Sequence, residues 1–178
     1  SVPGQKGNDT SGEWESLWFG NLPDAEIVEV GELGRLGWDL QEQRWQMIST
    51  RYHSIFYRSD IDRRVLWNTY QLADKMYDFL SSRSPVKAET PIKVFLVPGE
   101  RGRSKCDRQA NAMRTGAEAD SESIITSLLH EEGHLFNFAY LGDSIQGWWT
   151  GEYFCQYLQR RAELEAAGTN IKRHIKQQ

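Results

Sequence analysis

LLHEEGHLFNF, Leu128 to Phe138, sets two histidines four residues apart inside an apolar run, with a glutamate directly after the first. In an α-helix, residues four apart project from one face about one turn along, so His130 and His134 can offer ring nitrogens to a single cation. Glu131 lies about 100° around the helix from His130, within reach of a water on that cation without ligating it itself. The motif therefore implies a helix, and the flanks agree. SESIITSLLHEEGHLFNFAYLG carries apolar residues at helical spacing through Ile124, Ile125, Leu128, Leu129, Leu135, Phe136 and Phe138. Asp120 or Ser121 is placed to cap its start and Gly142 to end it.

Catalytic zinc usually takes three protein ligands and leaves the fourth position to water, so a third donor is required downstream. A third histidine six residues past His134, with a glycine between, would continue one known pattern, but Asn137 and Tyr140 stand there. The next acids are Asp143, in the turn after the helix, and Glu152, which follows His134 with seventeen residues between and closes WWTGE. Glu152 opens a helical stretch that runs to Ala167 and stops at Gly168, and is the better placed of the two. Its alternative role is that of an exposed glutamate stabilised by a helix N-terminus. Trp148 and Trp149 read as wall residues, and Cys155 as a small buried one.

The rest of the chain supplies a scaffold. With 178 residues, 39% hydrophobic and 26% charged, it is long enough for one domain with a core of its own. Residues 1–12 are polar and Gly-bearing and read as a flexible lead-in, leaving 13–178 as a single domain. AEIVEV (25–30) and RYHSIFYR (51–58) have strand composition, and residues 61–82 repeat apolar positions at helical spacing behind Asp60 or Asp62 as the cap. IKVFLV (92–97) reads as a central strand, GERGRSKCDRQ (99–109) as a surface loop, and ANAMRTG (110–116) as a short edge strand. Strand, helix, strand, helix, helix is the order of a mixed α+β domain.

The net charge of −4 has no long single-sign block, which gives no footprint for nucleic acid, and no apolar run reaches the roughly 20 residues of a membrane span. Cys106 and Cys155 permit one disulfide at most and match no metal-ligand spacing, so two unpaired thiols are expected. His53 and His174 are expected to be solvated or structural. The chain starts at Ser1, as would a mature form without its leader or an excised piece, and secretion, a periplasmic location or a cell-surface location is the expectation. Oligomeric state is left open.

HEEGH followed by WTGE at the start of a helix, in this order of strands and helices from about Tyr52 onward, resembles the gluzincin branch of zinc metallopeptidases. The short peptidase MA-like, or minimal gluzincin, domains are the most similar. The resemblance implies a zincin-like α+β fold: a mixed sheet, an active-site helix, and a further helix carrying the third-ligand glutamate. It implies that His130, His134 and Glu152 bind Zn2+ and that Glu131 is the general base that activates water toward a peptide or protein substrate. It also implies that an edge strand, here 110–116, aligns the substrate by backbone hydrogen bonds. Two positions depart from thermolysin-type members, with Gly151 in place of an Asn and Gln156 in place of an Asp. For the oxyanion donor of the larger members, this chain offers Tyr153, Tyr157 and His174. A peptidase-like binding module without catalysis is the alternative.

Overall fold

The computed structural model describes residues 22–29, 44–99, 104–117, 121–142, 151–152, 155–157 and 160–161. The expected lead-in, the Asp120 cap, the Trp148–Trp149 pair, Tyr153, His174 and the stop at Gly168 lie outside these residues.

Six strands form one mixed sheet in the order β1-β2-β3-β4-β6-β5. They are β1 (Glu26–Glu29), β2 (Arg44–Ser49), β3 (His53–Tyr57), β4 (Ile92–Val97), β5 (Lys105–Asp107) and β6 (Ala112–Gly116). β3 and β4 pair in parallel, as do β4 and β6, while the other neighbours are antiparallel. A parallel pair needs a crossover. Between β3 and β4 that crossover is α1 (Arg63–Ser81), and its buried positions Val65, Leu66, Thr69, Ala73, Met76, Tyr77 and Leu80 follow the helical period. Asp62 caps α1 by accepting from the Arg64 N–H at 2.7 Å.

α2 (Ser121–Leu141) carries HEEGH in its middle. Leu128, Leu129, Glu131, Glu132, Gly133, His134, Leu135, Phe136 and Asn137 are all buried. A helix closed in on nearly every side must be contacted from several directions, and α2 packs on α1, β5 and β6. It ends where expected, at Gly142, whose N–H still bonds the Phe138 carbonyl at 2.9 Å and whose φ of +68° turns the chain out of the helix after it. Residues 151–152, 155–157 and 160–161 belong to a third helix.

Both faces of the sheet bury apolar side chains. Ile48, Ile55, Val94, Leu96 and Met113 meet the helices. Trp45, Phe56, Phe95 and Ala112 form a second cluster, with Phe56 and Phe95 stacked at 4.6 Å between ring centroids. Among the described residues, no helix is long and apolar enough to cross a membrane.

RWQMIS, a stretch without an expected element, is a strand, β2, its alternation blurred by Gln46 beside the buried Trp45 and Ile48. Two expectations need correction. The surface loop 99–109 contains β5. And 110–116 is not an edge: β6 begins at Ala112, is buried throughout, and lies between β4 and β5. The hairpin that adds β5 closes at Asn111, whose φ of 47° is the left-handed conformation Asn tolerates. Its side-chain amide donates to the Glu89 and Pro91 carbonyls at 2.9 and 3.0 Å, tying the turn to the start of β4.

Candidate metal centre

His130 and His134 project from the same side of α2, and the third helix brings Glu152 against them. The His130 and His134 Nε2 atoms are 3.2 Å apart. Glu152 Oε1 is 3.4 Å from His130 Nε2, and Glu152 Oε2 is 3.2 Å from His134 Nε2. The three side chains form a group able to hold a metal ion. Four donors in a tetrahedron around zinc, at about 2.0 to 2.1 Å from it, are separated by roughly 3.3 to 3.4 Å. The observed separations, taken to one or the other oxygen of Glu152, are of that order, so the three side chains converge closely enough to ligate one ion. Two imidazole nitrogens and a carboxylate that converge this closely also need a positive charge or a shared proton between them.

The protonation state suits ligation. Burial pushes the His134 pKa below the usual histidine value, and His130 beside it acts in the same direction. The carboxylates of Glu131 and Glu152 oppose this without cancelling it. A neutral imidazole is the form that binds metal.

Small residues let the third helix come this close. A Cβ on Gly133, inside the motif, would sit 3.0 Å from the Cys155 sulfur. A Cβ on Gly151 would lie 2.6 Å from the Asn137 amide nitrogen and 3.6 Å from His134 Nδ1. The helix therefore rests on α2 at two backbone approaches that flank Glu152. At Gly151, a departure from the thermolysin pattern, any larger residue would press on the Asn137 amide, which would have to turn away. Gln156, the other departure, donates to Glu152 Oε1 at 3.3 Å. Tyr157 is largely exposed, and no described contact directs it to the centre.

Glu131 is buried and held from the β5 side. The Ser104 hydroxyl donates to its Oε1 at 2.7 Å, and the Cys106 thiol lies beside the same carboxylate. Burial, with the Glu131 charge adding to it, pushes the Cys106 pKa up to about 12. The Cys155 thiol is likewise raised, by burial first and then by Glu152. Both cysteines are unpaired, and both are protonated, unreactive thiols near neutral pH.

Behind α2 lies a second cluster. His53 and Glu132 are buried on β3 and α2, with His53 Nε2 at 3.3 Å from Glu132 Oε1 and His53 Nδ1 at 3.4 Å from Asp74 Oδ1 of α1. Asp74 also accepts from the Thr50 hydroxyl and from the Arg51 and Tyr52 N–H groups, at 2.7, 3.0 and 3.1 Å. Burial opposes its charge, but these bonds outweigh it and lower its pKa. Burial also opposes a charge on His53, yet the two carboxylates together raise its pKa. Glu132 is raised, because burial exceeds the help it receives from His53.

His53 is thus structural rather than solvated. Glu132 was not singled out by sequence, although its place in HEEGH, on the side of the helix away from both histidines, is a signal that could have found it. Ser104 and Cys106 carry no such signal. In comparisons with known proteins, no family model, curated protein or solved structure matches the chain.

Proposed function

We propose that the chain is a zinc-dependent peptidase with a zincin-like fold. The observation that carries this reading is the convergence of His130, His134 and Glu152, whose ring nitrogens lie 3.2 Å apart and each within 3.2 to 3.4 Å of a Glu152 oxygen, close enough to share one ion. His130, His134 and Glu152 would hold the ion. When bound, zinc supplies a water of pKa about 7 and polarises a carbonyl. Glu131 follows His130 directly, and in this reading its carboxylate would be the general base, holding a proton during hydrolysis and giving it up to the leaving amine. Ser104 and Cys106 keep that carboxylate from swinging away.

Substrate alignment falls to β5. Among the described residues it is the edge of the sheet, and Ser104, just before it, and Cys106, within it, both lie against Glu131. An extended peptide added to that edge would run past the base. The expectation that an edge strand presents the substrate is therefore kept but moved from β6 to β5.

One observation favours a second reading, a metal-bearing binding module without turnover: the Ser104 hydrogen bond to Glu131, with Cys106 beside it, would suit a purely structural carboxylate. Glu131→Gln separates the two. In the peptidase, zinc is retained while chelator-sensitive cleavage of a peptide library drops by about 10² to 10⁴. Cleavage at the wild-type rate in this variant would reject Glu131 as base, and absence of cleavage by zinc-loaded wild type would favour the binding module.

A further inference from the structure

The cluster behind α2 lies diametrically across the helix from the metal face. With about 100° per residue, His130 and His134 centre on one direction, and Glu132 points roughly 180° from it. Its carboxylate is fully buried and is met by His53 Nε2 at 3.3 Å. His53 in turn faces Asp74 of α1, which holds the β2–β3 turn through Thr50, Arg51 and Tyr52. One contact thus ties the active helix to the sheet, and the next ties that point of the sheet to α1.

Apolar packing holds α2 down but is non-directional, so it resists separation better than rotation about the helix axis. A histidine nitrogen lies about 6 Å from that axis, and a rotation of ~10° would move it by about 1 Å, while metal ligands tolerate about 0.2 Å. A short contact between two buried ionisable groups whose facing atoms have no hydrogen-bond partner among the described residues, placed on the far side, restrains such a rotation, because turning the helix would separate them and leave each buried alone. We infer that Glu132 and His53 are positioning residues, whose buried contact sets the rotation of α2 and so aims His130 and His134 at the metal. The inference rests on the metal reading above.

A buried ion pair replaced by apolar residues of similar size often leaves stability unchanged or higher. Aim and stability can therefore be separated. The experiment measures zinc affinity by competition with a chromogenic chelator, and thermal stability without metal, in wild type, Glu132→Gln, and the double variant His53→Leu with Glu132→Met. The double variant is expected to fold, with a melting temperature at or above wild type, and to bind zinc about tenfold or more weakly, the range carried by residues that orient ligands. Glu132→Gln, which keeps the shape and sets a polar amide at the same place against His53, is expected to stay close to wild type. Equal affinity in the folded double variant overturns the inference alone. A double variant that cannot fold also overturns it, because the pair would then build the core rather than aim the helix. Glu132→Gln as weak as the double variant would trace the effect to charge and contradict the positional account. Wild type that binds no zinc overturns the metal reading and this inference together.

Discussion

Two histidine–carboxylate contacts of similar length lie on opposite sides of α2. On one side His130 and His134 meet Glu152 at 3.4 and 3.2 Å. On the other His53 meets Glu132 at 3.3 Å. Distance does not distinguish them; surroundings do. Glu152 is part-exposed, two imidazoles converge on it, and His134 is lowered by burial and by His130. Behind the helix one imidazole lies between two carboxylates, and His53 is raised despite its burial. The first arrangement has donors in excess and invites a cation. The second already sets two carboxylates against one imidazole and has no such excess.

The strongest way to break this comparison is to remove a ligand. His134→Ala is expected to weaken zinc binding by more than about 100-fold, beyond the 10- to 100-fold typical of supporting residues. His53→Asn, by contrast, should leave a folded protein that still binds zinc. Isothermal titration of both variants would contradict the comparison if the two losses were alike. A smaller effect is expected at the base. Ser104→Ala removes a hydrogen bond to Glu131, and since bonds to charged groups contribute about 1.5 to 3 kcal/mol, the turnover rate should fall by roughly tenfold or more with zinc affinity unchanged. Steady-state kinetics on a peptide that wild type cleaves would check this, and an unchanged rate would remove Ser104 from the account.

The smallest effect concerns pH and the buried side alone. Because the folded-state pKa of His53 is raised, its stabilising contribution is complete below the unfolded value of 6.5 and is lost as pH rises through the folded value. Glu132, also raised, acts in the same direction. Asp74 is lowered, so its contribution is present above 3.8 and is lost in acid below that. Metal-free protein should therefore melt highest in mildly acidic solution and lose a few degrees toward pH 9. In His53→Asn that alkaline decline should shrink, and calorimetry at several pH values that found it undiminished would remove His53 as its cause.

The helix and its ligand face were legible because periodicity is a local property: His130 and His134 are four apart, and Gly142 ends the same helix. Glu152 could be named from its position at a helix start behind WWTG. The contact of His53 with Glu132 was not legible, since the two residues are far apart in sequence and only β3 packed beneath α2 brings them together. β5 was hidden for a different reason. A three-residue strand of Lys, Cys and Asp has no pattern of its own, and it exists because the Asn111 turn folds it onto β6. That turn also converted β6 from an expected edge into a covered strand.

The most direct measurement is zinc K-edge X-ray absorption on the purified, dialysed protein with its metal content. The account predicts one zinc per chain, with two imidazole nitrogens and carboxylate or water oxygen at about 2.0 to 2.2 Å. Zinc absent at stoichiometric loading, or a sulfur at about 2.3 Å in the coordination shell, would contradict it.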